Sequence, residues 1–311
     1  MTGGLVTLGE TMALVASGPL AQVTTASVGI GGAESNVAIG VRRLGGDAAW
    51  IGRVGDDSFG TRVLRELRAE GVGVHGTLDR DAPTGLMVKE SRRPGTSRVW
   101  YYRAGSAGSR LCPDDLPREL VAGARILHVT GITAGLGAAA LAAMRAAIEL
   151  AGEATVSFDV NHRPAVWQGR DPAPVYRELA RMAGVVFAGE DEARLLTGSD
   201  ATDPRDLVAD LAGATAGDVV LKQGADGCLA VIAGRTYDVP AVPVEAVDTV
   251  GAGDAFVAGY LADLLADRPA PERLLTAVRC GAFACLAVGD WEGLPTRRDL
   301  DDLDRADPVV R

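Results

Sequence analysis

Aromatic side chains are scarce in this 311-residue chain, at 5%, and histidine occurs only three times. With so few rings, a core has to be filled by Ala, Val and Leu, and apolar residues do reach 47%. His75, His128 and His162 form no recognisable triad or metal pair, and His128 sits in the apolar run Ile126, Leu127, Val129. A buried core role is expected for it. Cys112, Cys228, Cys280 and Cys285 make no C-x-x-C and have no histidine at zinc-ligand spacing, so reduced, mostly buried thiols are expected. No basic run exists and the formal net charge is −10, which argues against nucleic acid or a membrane surface as partner. There is no 18-residue apolar run and no basic-then-apolar N-terminus, so a soluble, cytoplasmic protein is expected. The Walker A pattern G-x-x-x-x-G-K-[ST] is missing, which excludes a P-loop kinase. No G-x-G-x-x-G follows the first strand, which disfavours a nicotinamide oxidoreductase.

Glycine, by contrast, is plentiful: forty residues without a G-X-Y period indicate many tight turns. Leu5–Glu10 reads as a short buried strand. Thr11–Val28 alternates loosely around Gly18-Pro19, as a pair of strands does. Gly29-Ile-Gly-Gly-Ala-Glu-Ser-Asn36 opens a helix that carries Val37, Val41 and Leu44 on one face and stops at Gly45-Gly46. It does not follow a simple strand–turn–helix βαβ start, and its glycines also suit a hairpin leaving a sheet. Ala48–Val54 is a further strand, followed by an amphipathic helix through Phe59, Val63 and Leu67. Thr84–Tyr102 reads as a hairpin turning at Arg92–Gly95. From Arg125 onward strands and helices alternate. The strands are Arg125–Thr130, Ala154–Val160, Val185–Ala188 and Asp218–Lys222. The helices are Ala138–Leu150, Val175–Ala183, Asp191–Leu196 and one between Pro204 and Leu211. That order predicts an α/β fold with a mostly parallel sheet covered by helices on both faces, and ligands at the carboxyl ends of the strands. Asp159-Val-Asn161-His-Arg163 and Lys222-Gln-Gly224 fall at such ends. An acidic surface helix is expected after Arg297.

The most informative stretch is Asp248-Thr-Val-Gly251-Ala252-Gly253-Asp254, which runs into the apolar helix Ala255–Leu265. A helix that is apolar all round is buried, so its first turn lies deep in the protein. That turn carries unpaired N–H groups and partial positive charge, and small residues let an anion approach them. A carboxylate beside an anion site is the pair that phosphoryl transfer requires. The plain alternative is a tight turn with Asp254 as a helix cap. Lys222-Gln-Gly-Ala-Asp-Gly227 likewise reads either as a hairpin turn between Asp218–Lys222 and Cys228–Ile232 or as part of a ligand site.

The Asp248–Asp254 string resembles the C-terminal signature of the ribokinase-like (PfkB) carbohydrate kinases. Gly31–Gly60, GGAESNVAIGVRRLGGDAAWIGRVGDDSFG, resembles their N-terminal signature. The resemblance spans essentially the whole chain. It implies one ribokinase-like α/β/α domain over residues 1–311, with a small β-sheet lid formed by about residues 11–30 and 84–104. It further implies Asp254 as catalytic base, with the Gly251, Ala252 and Gly253 amides as anion hole. Gly31, Gly32 and Asn36 would hold the sugar, and Lys222, Gly224 and Gly227 the nucleotide. Glu192, in Gly189-Glu-Asp-Glu192, matches the glutamate of the family's N-x-x-E motif, which organises magnesium through water; Gly189 replaces the asparagine. Asp248 and Val250 match positions that often hold a monovalent cation, potassium.

Tyr101-Tyr102-Arg103-Ala-Gly-Ser106-Ala-Gly-Ser109, His128–Thr133, Phe158–Trp167 and Gly289–Pro295 are similar to 2-keto-3-deoxygluconate kinases. The implied substrate contacts are Tyr101, Arg103, Ile132 and Arg163; Met87 stands where a tyrosine is usual. The chemistry agrees, because a sugar acid carries a carboxylate and arginine binds carboxylates bidentately. The expectation is therefore an ATP- and Mg2+-dependent kinase converting 2-keto-3-deoxygluconate to its 6-phosphate. It would act as a homodimer or higher homo-oligomer through the β-lid. Ribokinase or fructokinase action on a neutral sugar is the alternative within the family. A catalytically silent sugar-binding sensor is the alternative outside it.

Overall fold

The structure is a computed structural model that describes residues 3–93 and 96–303. Thirteen strands are present among the described residues. In chain order they are β1 (Leu5–Leu8), β2 (Met12–Ser17), β3 (Ser27–Gly31), β4 (Ala48–Gly55), β5 (Gly73–Asp79), β6 (Leu86–Arg93) and β7 (Thr96–Tyr102). There follow β8 (Ile126–Thr130), β9 (Thr155–Asp159), β10 (Val185–Gly189), β11 (Asp218–Lys222), β12 (Cys228–Ile232) and β13 (Arg235–Val239). Nine of them form one sheet in the order β13-β12-β11-β10-β9-β8-β1-β4-β5. Its pairs are parallel except at one end, where β12 runs antiparallel to both β11 and β13.

Successive residues of the central strands point to opposite faces, and both faces are buried. Leu5, Trp50, Ile126, Val185, Phe187 and Val220 enter one core with helices Ala33–Arg43, Ser58–Ala69, Ala252–Leu265 and Ala270–Ala284. Val6, Ile51, Leu127, Val186, Ala188, Val219 and Leu221 enter a second core on the other face. Helices Ala138–Ala151, Ala173–Met182, Glu190–Thr197 and Pro204–Ala214 cover that one. Strands buried on both faces carry continuous apolar runs, which is why they stood out in the sequence. Tight packing replaces large rings: an ideal Cβ on Gly40 would lie 2.5 Å from Ala258, so helices Ala33–Arg43 and Ala252–Leu265 meet almost backbone to backbone.

The remaining strands form a second sheet in the order β3-β2-β6-β7. Met12, Leu14 and Met87 are buried beneath it as a small separate core. The expected hairpin is present, although β6 runs on to Arg93 and β7 begins at Thr96; Pro94 and Gly95 of the anticipated turn lie outside the described residues. Strand β3 extends to Gly31 and leads through Gly32 into helix Ala33–Arg43. It pairs antiparallel with β2 in the second sheet, whereas β4 after the helix belongs to the large sheet, so no βαβ unit begins here, in line with the sequence. The exposed start of β3, Ser27-Val28, breaks the apolar pattern.

Strand β5, strand β13 and helix Ala270–Ala284 were not anticipated. Both strands are edges of the nine-stranded sheet and only partly buried, so neither needs an apolar run. The four cysteines are free thiols, with Cys228 and Cys280 buried. His128 is buried, with Nδ1 3.0 Å from the Ser157 hydroxyl; burial pushes its pKa down to about 3. A surface helix closes the described chain at Arg297–Asp302. Among the described residues no helix is long and apolar enough to cross a membrane.

Candidate active site

The carboxyl ends of the central strands open into a cleft of about 1210 Å³, and the second sheet forms its opposite wall. Met12, Leu14, Met87, Lys89, Val99, Tyr101 and Arg103 reach it from that wall, whereas Asp159, Asn161, Arg163, Gly189, Glu192 and Lys222 reach it from the large sheet.

Asp254 is the third residue of helix Ala252–Leu265, whose residues 255–263 are all buried. The turn before this helix depends on Gly251, which adopts φ +78; a Cβ there would lie 2.0 Å from the Asp290 carbonyl oxygen. Only glycine meets both conditions. Gly253 is exposed to the cleft, and a Cβ on it would come within 4.0 Å only of Lys222 Nζ. An ammonium group thus faces the first turn of the helix across a space open to an anion. Ala252 does not line the cleft, and its N–H makes a long 3.4 Å contact to the Thr249 carbonyl. Gly251 and Gly253 therefore present the more accessible part of the expected anion hole.

The Asp254 carboxylate accepts a hydrogen bond from Asn36 Nδ2 at 2.8 Å and a longer one from Asn161 Nδ2 at 3.5 Å. Its surroundings are dense although the cleft still reaches it. Burial pushes its pKa up to about 7; the Asn36 bond opposes this, and Asp159 and Asp290 reinforce it. A carboxyl poised near neutrality at a helix start suits a general base. Asn161 is held at φ +36, an uncommon left-handed conformation for which asparagine is among the better-suited residues. Asn36 is buried, so one of its amide protons is already committed to Asp254.

Lys222, at the end of β11, donates to both oxygens of Asp159 at 2.7 and 2.9 Å. Burial works to lower its pKa, but the carboxylates of Asp159, Glu192 and Asp254 raise it overall, so the ammonium stays charged. Glu192 accepts the Gly189 N–H at 2.7 Å through one oxygen and the His162 N–H at 2.8 Å through the other. It thereby ties the ends of β9 and β10 together at the cleft. Gly189 caps the helix that begins at Glu190.

Arg103 is 13% exposed and donates through Nε to Glu10 at 2.7 Å, and the Ser106 hydroxyl donates to the same buried carboxylate. Arg163 is exposed on the facing wall and donates to the His162 carbonyl. Tyr101 and Ile132 also line the cleft. Gly32 lines it too, whereas Gly31 is packed behind it: a Cβ on Gly31 would strike the Asp290 carboxylate at 2.1 Å.

Two expected nucleotide residues lie outside this cleft. Gly224 and Gly227 sit in the β11–β12 turn, beyond the lining residues, where Gly227 has φ +100 and a Cβ would meet the Val239 carbonyl at 2.1 Å. The hairpin itself accounts for Gly227. Val250 lines the cleft; Asp248 stands behind it, bonded to Lys89. Six charged residues that line the cleft were not among the expected site residues: Glu10, Lys89, Asp159, Glu190, Asp191 and Asp290. The strand-end position of Asp159 was a usable signal. Glu10, Lys89 and Asp290 carried none, because their partners are 93, 159 and 254 residues away in the chain.

The pfkB family carbohydrate kinase profile matches residues 4–297. The 2-dehydro-3-deoxygluconokinase of Bacillus subtilis (strain 168) is 36% identical over 311 residues, covering 95% of this chain and 93% of that protein. A fructokinase of Klebsiella pneumoniae is 39% identical over 287 residues, covering 87% of this chain and 90% of the relative. Among solved structures, a PfkB protein from Polaromonas sp. JS666 superposes with a TM-score of 0.85 at 34% identity, covering 96% of this chain and 99% of that one. Two family signatures and a match over nearly the whole length lead to one conclusion: this chain belongs to the pfkB family of carbohydrate kinases, phosphotransferases that act on a sugar hydroxyl.

Proposed function

We propose that the chain transfers the γ-phosphoryl group of ATP to the primary hydroxyl of a sugar acid, with 2-keto-3-deoxygluconate as acceptor and its 6-phosphate as product. The observation that carries this reading is Asp254, a carboxyl near neutral pKa at an open helix start that faces an ammonium group. Its Oδ atoms take the hydroxyl proton as the sugar oxygen bonds to the γ-phosphorus and the bond from that phosphorus to the β–γ bridging oxygen breaks. The Gly251 and Gly253 amides, with Ala252 behind them, receive the charge on the transferring group, and Lys222 stands opposite. Asn36 and Asn161 hold Asp254 in place.

Magnesium, carried on the nucleotide, supplies charge neutralisation between the phosphates. The residues fit it: each Glu192 oxygen spends one lone pair on a backbone N–H and keeps another for the ion's waters. Two solved relatives support the nucleotide assignment at the level of fold, a putative ribokinase of E. coli in complex with ATP and Mg+2 and a fructokinase of Xylella fastidiosa with bound ATP. The sugar is held by Gly32, Asn36, Tyr101 and Ile132, with Gly31 behind them, and its carboxylate by Arg103 and Arg163. The whole chain works as one domain, and the second sheet closes over the acceptor as a lid that keeps water from the phosphoryl group.

A neutral sugar is the second reading, favoured by the Glu10–Arg103 pair, which already partly satisfies one of the two arginines. ADP release with Mg-ATP and a panel of 2-keto-3-deoxygluconate, 2-ketogluconate, ribose and fructose separates the two. Turnover with the keto-deoxy acid, lost in Arg103→Met and Arg163→Met, supports the sugar acid. Turnover with fructose or ribose alone removes the roles given to both arginines. Sugar binding without any ADP release would leave a sensor instead of a kinase.

A further inference from the structure

Asp248 lies six residues before the catalytic base and outside the cleft, yet it joins three parts of the molecule. Its Oδ1 accepts the Val250 N–H at 3.3 Å and so shapes the turn that leads to Gly251. Its Oδ2 accepts the Gly289 N–H at 3.3 Å, which ties that turn to the segment carrying Asp290, the residue on which Gly251 packs. The backbone on either side is pinned as well: the Val247 and Asp248 N–H groups both reach the Cys285 carbonyl. A largely shielded carboxylate that accepts only neutral amides still needs a positive charge nearby. Lys89 provides one. It projects from β6 in the second sheet, and its Nζ lies 2.5 Å from Asp248 Oδ2. Lys89 is 3% exposed and Asp248 11%, so water screens the pair little. The Asp290 carboxyl also faces this ammonium group.

We propose that Lys89 is a positioning residue whose ammonium supplies, from the chain itself, the cation that Asp248 requires, so that the anion turn is held in its working shape without bound potassium. This rests on the kinase reading above. The motif resemblance led to an expected potassium site at Asp248 and Val250; the lysine occupies the carboxylate oxygen on which such an ion would draw. The pair joins the second sheet to the turn before helix Ala252–Leu265, so the charge reaches the turn only when that sheet is seated over the cleft.

The test compares the purified chain with Lys89→Met, which keeps the unbranched stem of the side chain but lacks its terminal ammonium, and with Lys89→Ala, which leaves a larger cavity. Turnover is measured in potassium, ammonium, sodium or tetramethylammonium chloride at equal ionic strength. The unmodified chain is expected to change by less than about twofold among these salts. Lys89→Met in tetramethylammonium is expected to lose about a hundredfold in kcat, the scale of a one-ångström misplacement at a reacting centre, with a much smaller change in sugar KM. Potassium or ammonium should restore part of that loss, and a short alkylammonium should do the same for Lys89→Ala. A purely structural ion pair would lower stability without any such selective rescue. Activation of the unmodified chain by potassium of about tenfold or more overturns the proposal. So does a folded Lys89→Met protein with unchanged kcat, or one that no cation rescues.

A second readout does not depend on turnover. Potassium should raise the melting temperature of Lys89→Met more than tetramethylammonium does, and should leave the unmodified chain unaffected. Thallium soaked into crystals should bind beside Asp248 only in the variant. Thallium beside Asp248 in the unmodified chain, or in neither protein, overturns the proposal. If the kinase reading fails because no sugar supports ADP release, these measurements still decide the role of Lys89.

Discussion

At the scale of single residues, the site is governed by carboxyl groups held where water reaches them poorly. Asp254 is the clearest. Burial raises its pKa to about 7, so the free enzyme holds a mixture of acid and carboxylate at neutrality. A base must be ionised to accept a proton, so kcat/KM should fall tenfold per pH unit below about 7. A pH profile taken with saturating Mg-ATP checks this, and a limb that lies near the ordinary aspartate value would remove the special role of burial. The same shift has a consequence for stability. A carboxyl whose folded pKa is raised favours folding in its protonated form, and that contribution disappears as pH rises through about 7. Asp254→Asn should therefore melt at a higher temperature than the unmodified chain at pH 8. The difference should shrink as pH falls toward 4. With Asp254 as the proposed base, the same variant should lose at least about a thousandfold in turnover. Asp290, raised to about 6 by burial, titrates close by, so the acid limb belongs to the two carboxyls together.

At the scale of elements, the decisive piece is the turn that starts helix Ala252–Leu265. Gly251→Ala would force a β-carbon against the Asp290 carbonyl in a backbone region that L-residues avoid. The expected result is a loss of about 2 kcal/mol or more in stability, together with a drop in turnover that exceeds any change in sugar binding. Urea unfolding and initial-rate kinetics on the same sample would check both. Unchanged kinetics would mean that the turn tolerates distortion and that the amides are not critically placed. Helix Ala252–Leu265 was readable from the sequence because it is apolar on every side, and a buried helix needs no polar face. Helix Ala270–Ala284 was not, since Glu272, Arg273 and Arg279 interrupt its apolar positions and its capping proline resembles a loop. The edge strands β5 and β13 went unread for the matching reason: a strand covered on one side only carries little of the pattern that marks a central one.

At the scale of the whole molecule, the second sheet presents two faces. One lines the cleft. The other carries Tyr102, 65% exposed, and Val28, 37% exposed. We propose that two or more copies associate through this outer face, with the second sheet as both lid and contact. Tyr102→Glu should then lower the mass seen by sedimentation without unfolding the chain. A monomeric unmodified protein would remove the idea outright.

Fold class and family were legible because they rest on local strings: apolar runs of the right length in alternating order, and two glycine-rich signatures. Such strings report backbone demands, and backbone demands are met within a few residues. Asp254, Asn36 and Glu192, which the fold brings to one cleft, were singled out in that way. The pairing of charges was not. Glu10 with Arg103, Asp159 with Lys222 and Lys89 with Asp248 each join distant parts of the chain. A lysine on an alternating strand looks the same in the sequence whether it meets solvent or a buried carboxylate. Only the crossing of the second sheet over the strand ends decides which, since an ion pair is formed by proximity in space and leaves no trace in residue spacing.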